Sequence, residues 1–140
     1  GLYFEELDFE DLRQPGLNIR TPMNMDRLSD EEMIDYYSKL ITGLGGKVTA
    51  YYLDGIAVYN HGVISSFMDN MAAQKNGLFY MIDKASSKRF EGWPLDSLSI
   101  NKENGKYFVD GSIEESKENI IKDQYQKSVV DFLIKSLHIA

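Results

Sequence analysis

Between Lys84 and Asp96 the chain gathers Lys84, Lys88 and Arg89 beside its only tryptophan, Trp93, and then places Asp96 three residues further on. These residue types suit a purine nucleotide. An indole face stacks on a base, ammonium and guanidinium groups pair with phosphate oxygens, and a carboxylate accepts from a base N–H. The same residues also describe a solvated basic loop whose tryptophan anchors the core, and the sequence leaves both readings open.

Other candidates are weaker. Gly43-Leu44-Gly45-Gly46-Lys47 has the flavour of a phosphate loop, but Ile41 stands where the first glycine belongs and Val48 where Ser or Thr should follow the lysine. It reads as a helix stop. Glu5, Glu6, Asp8, Glu10 and Asp11 could offer oxygen ligands to magnesium, although their alternation with Leu7 and Phe9 favours a solvated strand face. His61 lies in a turn and His138 close to Ala140, neither with the partner spacing of a metal or nucleophile site. The chain has no cysteine and no serine in a Gly-x-Ser-x-Gly turn, so covalent catalysis has no candidate.

A net charge of −7 repels polyanions, which argues against nucleic acid as a partner. A single nucleoside triphosphate escapes that argument, because a divalent cation and a few local basic residues override a negative global field. With 43% apolar residues, 140 positions are enough for one domain with a real core. No apolar run reaches the roughly 18 residues of a membrane span and no secretory leader is visible, so an intracellular, cytoplasmic setting is expected.

The elements that must carry these residues can be read from periodicity and turn chemistry. Residues 1–20 read as an extended segment and a turn at Pro15-Gly16. Ser29 and Glu32 form a capping box ahead of Met33, Ile34, Tyr37, Leu40 and Ile41, predicting a helix over about 29–42. From Lys47 to Met68 the pattern is β-rich, with Asp54-Gly55 as a hairpin turn and Asn60-His61-Gly62 as a second turn. Strands are predicted over 78–83 and 98–100, the latter paired through Asn104-Gly105 with 106–110. Ser112 and Glu115 repeat the capping box and open a helix to about Leu137, with Ile120, Ile121, Val129, Val130, Leu133 and Leu137 as its apolar stripe. The expected class is α+β: a central, twisted, mixed but largely antiparallel sheet with helices packed on it.

Along this frame the chain resembles the inosine triphosphate pyrophosphatase family. Gly1-Leu2 matches the tail of the family's Asp-Ser-Gly-Leu or Asp-Thr-Gly-Leu run, Leu7 or Leu12 its leucine, Pro15-Gly16 its turn, and Arg20 the basic residue after it. Val48 to Leu53 and Gly55 to Tyr59 look like its central strands. Arg89 to Asp96 looks like its Arg-Gly loop leading into Gly-Phe-Gly-Tyr-Asp-Pro, and Val129 to Leu133 like its last helix. Where the family has a Ser-His-Arg triplet, this chain has Ile120-Ile121-Lys122 or Ile121-Lys122-Asp123, depending on how Lys117 is aligned.

The resemblance implies hydrolysis of non-standard purine nucleoside triphosphates (ITP, XTP, dITP) to monophosphate and pyrophosphate with Mg2+. It implies substrate binding by Arg20, Lys88, Arg89, Trp93, Asp96 and Lys117. The catalytic and metal-holding carboxylates are expected upstream of Gly1, with Glu5 and Asp8 the only nearby substitutes. Residues 1–140 would then be the larger, C-terminal part of a pyrophosphatase domain, inactive alone, and a homodimer fits the family. The alternative is a non-catalytic nucleotide-binding or protein-interaction α+β domain.

Overall fold

A computed structural model of the protein describes residues 1–68, 77–111 and 120–138. The chain is an α+β protein built from antiparallel strands with two described helices. Helix α1 (Asp30–Gly43) starts where the capping box predicts: Ser29 Oγ accepts from the Glu32 amide, 3.2 Å, and Glu32 Oε1 accepts from the Ser29 amide, 3.0 Å. It ends in a Schellman motif. The Gly46 amide donates to Ile41 O, 2.8 Å, and the Gly45 amide to Thr42 O, 3.1 Å, with φ of +92° and +104° at the two glycines. The Gly43–Lys47 stretch is therefore a helix stop. Met33, Ile34, Tyr37 and Ile41 form the buried face.

That face packs on a four-stranded sheet with the order β1 (Leu2–Phe4), β2 (Lys47–Tyr52), β5 (Phe79–Ile82), β6 (Ser99–Ile100). Antiparallel register sets Phe4 opposite Ala50, Ala50 opposite Phe79, and Val48 opposite Met81. Directly opposed residues share a face, so these side chains line the core beneath α1. The other face carries Tyr3, Tyr51 and Tyr80. Phe9 stacks on Tyr3 at 4.7 Å, and the Lys47 ammonium lies 3.9 Å from the Tyr80 ring centre.

β3 (Gly55–Asn60) and β4 (Val63–Met68) form a separate two-stranded sheet. This corrects the expectation of one continuous sheet over 47–68. β2 takes β1 and β5 as its two neighbours, so Asp54-Gly55 is a break between sheets, and the hairpin turn is His61-Gly62, with φ of +51° and +80°. Positive φ at both central residues matches a type I′ turn, whose twist suits the strands it joins.

Three further expectations change. Residues 5–12 form turns rather than a strand, because Leu7 is drawn into the core and Gln14 closes the loop: it accepts from the Phe4 amide, 2.6 Å, and donates to Phe4 O, 3.1 Å, and Leu7 O, 3.2 Å. Residues 106–110 contribute only one bridge, Ile100 to Tyr107. Beyond it Phe108–Asp110 is a 3-10 turn that brings Phe108 onto Phe79, ring centres 5.0 Å apart. Helix α2 is described over Ile120–Leu137, and the Ser112/Glu115 capping box lies outside the described residues. Its half-buried stripe runs through Val129, Phe132, Leu133 and Ser136, while the expected Val130 and Leu137 are exposed. Phe132 stacks on Phe67 of β4 at 5.3 Å, so α2 covers one side of the β3–β4 sheet. Among the described residues no helix is long and apolar enough to cross a membrane.

Candidate functional site

The loop between β5 and β6 is held at both its ends and its middle. The Ile82 amide donates to Leu98 O, 3.0 Å, and the Ser86 amide to Ser97 O, 2.8 Å, while buried Ser97 donates from Oγ to Lys88 O, 2.7 Å. Pro94 opens a 3-10 turn (Pro94–Ser97) that buries Leu95, and Leu98 is buried just after it. With its proline and leucines inward, the loop presents Phe90 and Trp93 to solvent, 59% and 62% exposed. Trp93 is therefore not a core anchor.

What fixes Trp93 is a ring of polar contacts around the preceding residue. The Gly92 amide donates to Asp30 Oδ2, 2.7 Å. Arg20 Nη2 donates to Gly92 O, 3.2 Å, and pairs with Asp30 Oδ1, 2.9 Å. Both sides of Gly92 are thus engaged by one ion pair. Gly92 lies third in a turn closed by the Trp93 amide on Phe90 O, 2.9 Å, with φ of +84°, the region a type II turn requires there. The Gly92 amide and then the Arg20 guanidinium hold the Asp30 carboxyl below the usual carboxylate range. Arg20 also donates to Leu28 O, 3.3 Å, tying the 20–28 segment to α1 and to the loop.

Of the four basic residues expected to bind substrate, Arg20, Lys88 and Arg89 lie among the described residues, and each of these is engaged by a carboxylate of the chain itself. Besides Arg20 with Asp30, Arg89 Nε pairs with Glu31 Oε1 at 2.7 Å, and Arg89 Nη1 donates to the carbonyls of Ser86 and Lys88. Lys88 Nζ reaches Asp110 at 3.0 Å. The structure brings Arg20, Arg89 and Trp93 together at the start of α1 and points Lys88 elsewhere. Lys117 lies outside the described residues.

Asp96 behaves differently. It is half-buried, has no ion-pair partner among the described residues, and burial raises its carboxyl above the usual range. Near it Tyr52, at the end of β2, stacks on Phe79 at 5.5 Å, and its phenol is pushed up to about 12 by burial, then by Asp96 and Asp54. A carboxyl and a phenol thus sit together at one end of the sheet, next to the turn that carries Trp93. Tyr52, Asp30 and Gly92 were not among the residues singled out from sequence. The capping box could have located Asp30, since it opens a first turn of α1 that holds three carboxylates, Asp30, Glu31 and Glu32, where the helix dipole favours them. Nothing local marked Tyr52.

For magnesium the described residues do not fit: no group of three or more His, Asp or Glu side chains comes together among them. Within the acidic stretch, Glu6 accepts from the Thr49 amide at 2.8 and 2.9 Å, and Asp11 pairs with Arg13 at 2.8 Å, so two of its carboxylates have structural partners. Two shallow concavities lie among the described residues, one at Asp8–Asp11 and one along Leu28, Glu31, Tyr36 and Leu40, the second including the Glu31 that pairs with Arg89. No protein-family model, curated protein or solved structure matches the chain.

Proposed function

We propose that the Phe90–Asp96 turn binds the base of a purine nucleotide, and that the intact protein hydrolyses non-standard purine nucleoside triphosphates to monophosphate and pyrophosphate. The observation that carries the reading is the exposed Trp93 on a loop held by the Arg20–Asp30–Gly92 ring, three residues before a half-buried Asp96 that has no ion-pair partner among the described residues. A turn whose backbone is already held presents the indole to a base without paying again for ordering that backbone. The Asp96 carboxylate then accepts from a base N–H, a contact that favours purines with a protonated ring nitrogen on that edge.

Because Arg20, Lys88 and Arg89 are committed to Asp30, Asp110 and Glu31, this reading gives them a positioning part, and phosphate neutralisation falls to groups outside the described residues. The same holds for magnesium and for the catalytic carboxylates, so no hydrolytic step is assigned here. The test is pyrophosphate release from a panel of ITP, XTP, dITP, ATP and GTP with magnesium on the full-length protein. Trp93→Ala raises KM by the roughly 1–3 kcal/mol of a stacked base, with the fold intact. Unchanged KM for a folded variant removes Trp93 from the site.

A second reading has one observation in its favour. Every basic side chain of the loop's middle is internally paired, as in a loop built for rigidity, which suits a non-catalytic interaction domain. Absence of any purine-dependent turnover or binding by the full-length protein would favour it.

A further inference from the structure

We propose that the Asp8–Gln14 loop is a docking surface for a basic amphipathic helix of a partner protein. The proposal is independent of the nucleotide reading. Two consecutive turns share Asp11: its amide donates to Asp8 O, 3.0 Å, and the Gln14 amide donates to Asp11 O, 2.9 Å. Each turn carries an apolar residue at its second position, Phe9 and Leu12, and these are 58% and 82% exposed. Stacking on Tyr3, with ring centres 4.7 Å apart and 5° between planes, fixes the Phe9 ring and covers one of its faces. Its exposure leaves the other face to solvent.

Folding does not call for these two side chains. Turn corners favour Pro, Gly, Asn, Asp and Ser. Here aspartates supply the turn chemistry: Asp8 and Asp11 hold the first positions, and Asp11 Oδ1 accepts from the Arg13 amide at 2.8 Å. The buried side of the loop is filled by Leu7, and Gln14 bonds its backbone from within. A phenylalanine and a leucine displayed on a loop braced in this way meet a partner with little backbone left to order on binding.

Charge selects the occupant. Residues 5–11 hold five acidic residues and no basic one, in a chain of net charge −7. Glu6 is taken by the Thr49 amide and Asp11 by Arg13, whereas Asp8 and Glu10 flank Phe9 with no ion-pair partner among the described residues. Asp8, Phe9, Glu10 and Asp11 line one shallow concavity. An aromatic face set between carboxylates complements a helix whose apolar stripe is bordered by Lys or Arg, and it repels an anionic membrane or a nucleic acid. Three residues of chain span at most about 11 Å, so Phe9 and Leu12 fall within two turns of one helix. Leucines at i, i+3 and i+7 of that helix can cover both side chains while flanking lysines reach Asp8 and Glu10.

The experiment is fluorescence anisotropy of a labelled peptide made of two Lys-Leu-Ala-Lys-Leu-Ala-Lys repeats, titrated with the full chain over about 1–100 μM, a range that reports dissociation constants in the micromolar class. Saturable binding is expected, with none for the analogue carrying Glu in place of Lys. Leu12→Ser keeps every charge and should weaken binding at least about tenfold, the scale of one apolar side chain returned to water. Its urea midpoint should equal that of wild type. Phe9→Ser should weaken binding to a similar degree, and because its stacking on Tyr3 is lost as well, Leu12→Ser is the deciding variant. Asp8→Asn combined with Glu10→Gln should weaken binding severalfold. Absence of binding, Leu12→Ser or the Asp8/Glu10 variant binding as tightly as wild type, or a lowered urea midpoint for Leu12→Ser, which would mean that the chain itself covers this leucine, would overturn the proposal.

Discussion

Replacing Gly92 by alanine isolates the backbone geometry that presents Trp93. At Gly92 φ is +84°, and a Cβ built there meets nothing within 4 Å, so no steric clash contributes. The cost is conformational: an L-residue in the left-handed region is disfavoured by about 1–2 kcal/mol. Relaxing φ offers no escape, because rotation would pull the Gly92 amide from Asp30 or its carbonyl from Arg20. For a chain of this size that cost lowers Tm by about 3–8 °C. A D-alanine at the same position, introduced by ligation, favours positive φ and restricts the unfolded chain, so it should be neutral or stabilising by about 0.4–1 kcal/mol. Urea unfolding of the three proteins, followed by circular dichroism and by Trp93 emission, gives the comparison. If L-alanine stays within about 0.5 kcal/mol of wild type, the scatter of an ordinary surface substitution, or if D-alanine is as damaging as L-alanine, the ring does not hold the turn as described.

Tyr37→Phe removes the phenol that donates to Ile19 O at 2.7 Å from a buried side chain, and should cost about 1 kcal/mol in urea unfolding; an unchanged midpoint would show that this bond adds nothing. Ser29→Ala removes half of the capping box and should cost about 1 kcal/mol, with α1 amides near its start exchanging faster; equal exchange would contradict the cap. Arg13, through its side-chain and backbone bonds, takes Asp11 from 3.8 to about 2. A carboxyl lowered on folding stabilises the protein above its unfolded value, and that contribution is lost as pH falls from about 4 towards 2. The urea midpoint of Asp11→Asn should accordingly depend less on pH across this window than that of wild type, and identical slopes would refute the assignment.

Local signals in the sequence were sufficient wherever chain neighbours settle the structure. The capping box at Ser29, the glycines that stop α1 and the turn at His61-Gly62 all work within a few residues, and each appears where sequence puts it. Partner choice was not legible. Asp54-Gly55 has the composition of a hairpin turn, but β2 pairs with β1 and β5, strands distant from it in sequence, and no local rule outweighs that register. Tyr107–Val109 has β-rich composition too, yet burying Phe108 against Phe79 ends the strand. At the site, composition marked the basic residues and Trp93 but could not tell that the cations were already paired. Asp30 lies 62 positions from Gly92, Glu31 58 from Arg89 and Asp110 22 from Lys88, so only the fold reveals these pairings. Tyr52 joins Asp96 for the same reason.

The central claim is that a purine base stacks on Trp93. Since it is the only tryptophan, its fluorescence reports that residue alone. Titration of the protein with ITP, dITP and XTP should quench the emission saturably, pyrimidine triphosphates should not, and Asp96→Ala should weaken the purine titration by about tenfold, as expected for loss of a charge-assisted hydrogen bond at a half-exposed group. Emission that stays constant while calorimetry detects purine binding, or quenching of equal strength by purines and pyrimidines, would contradict the account.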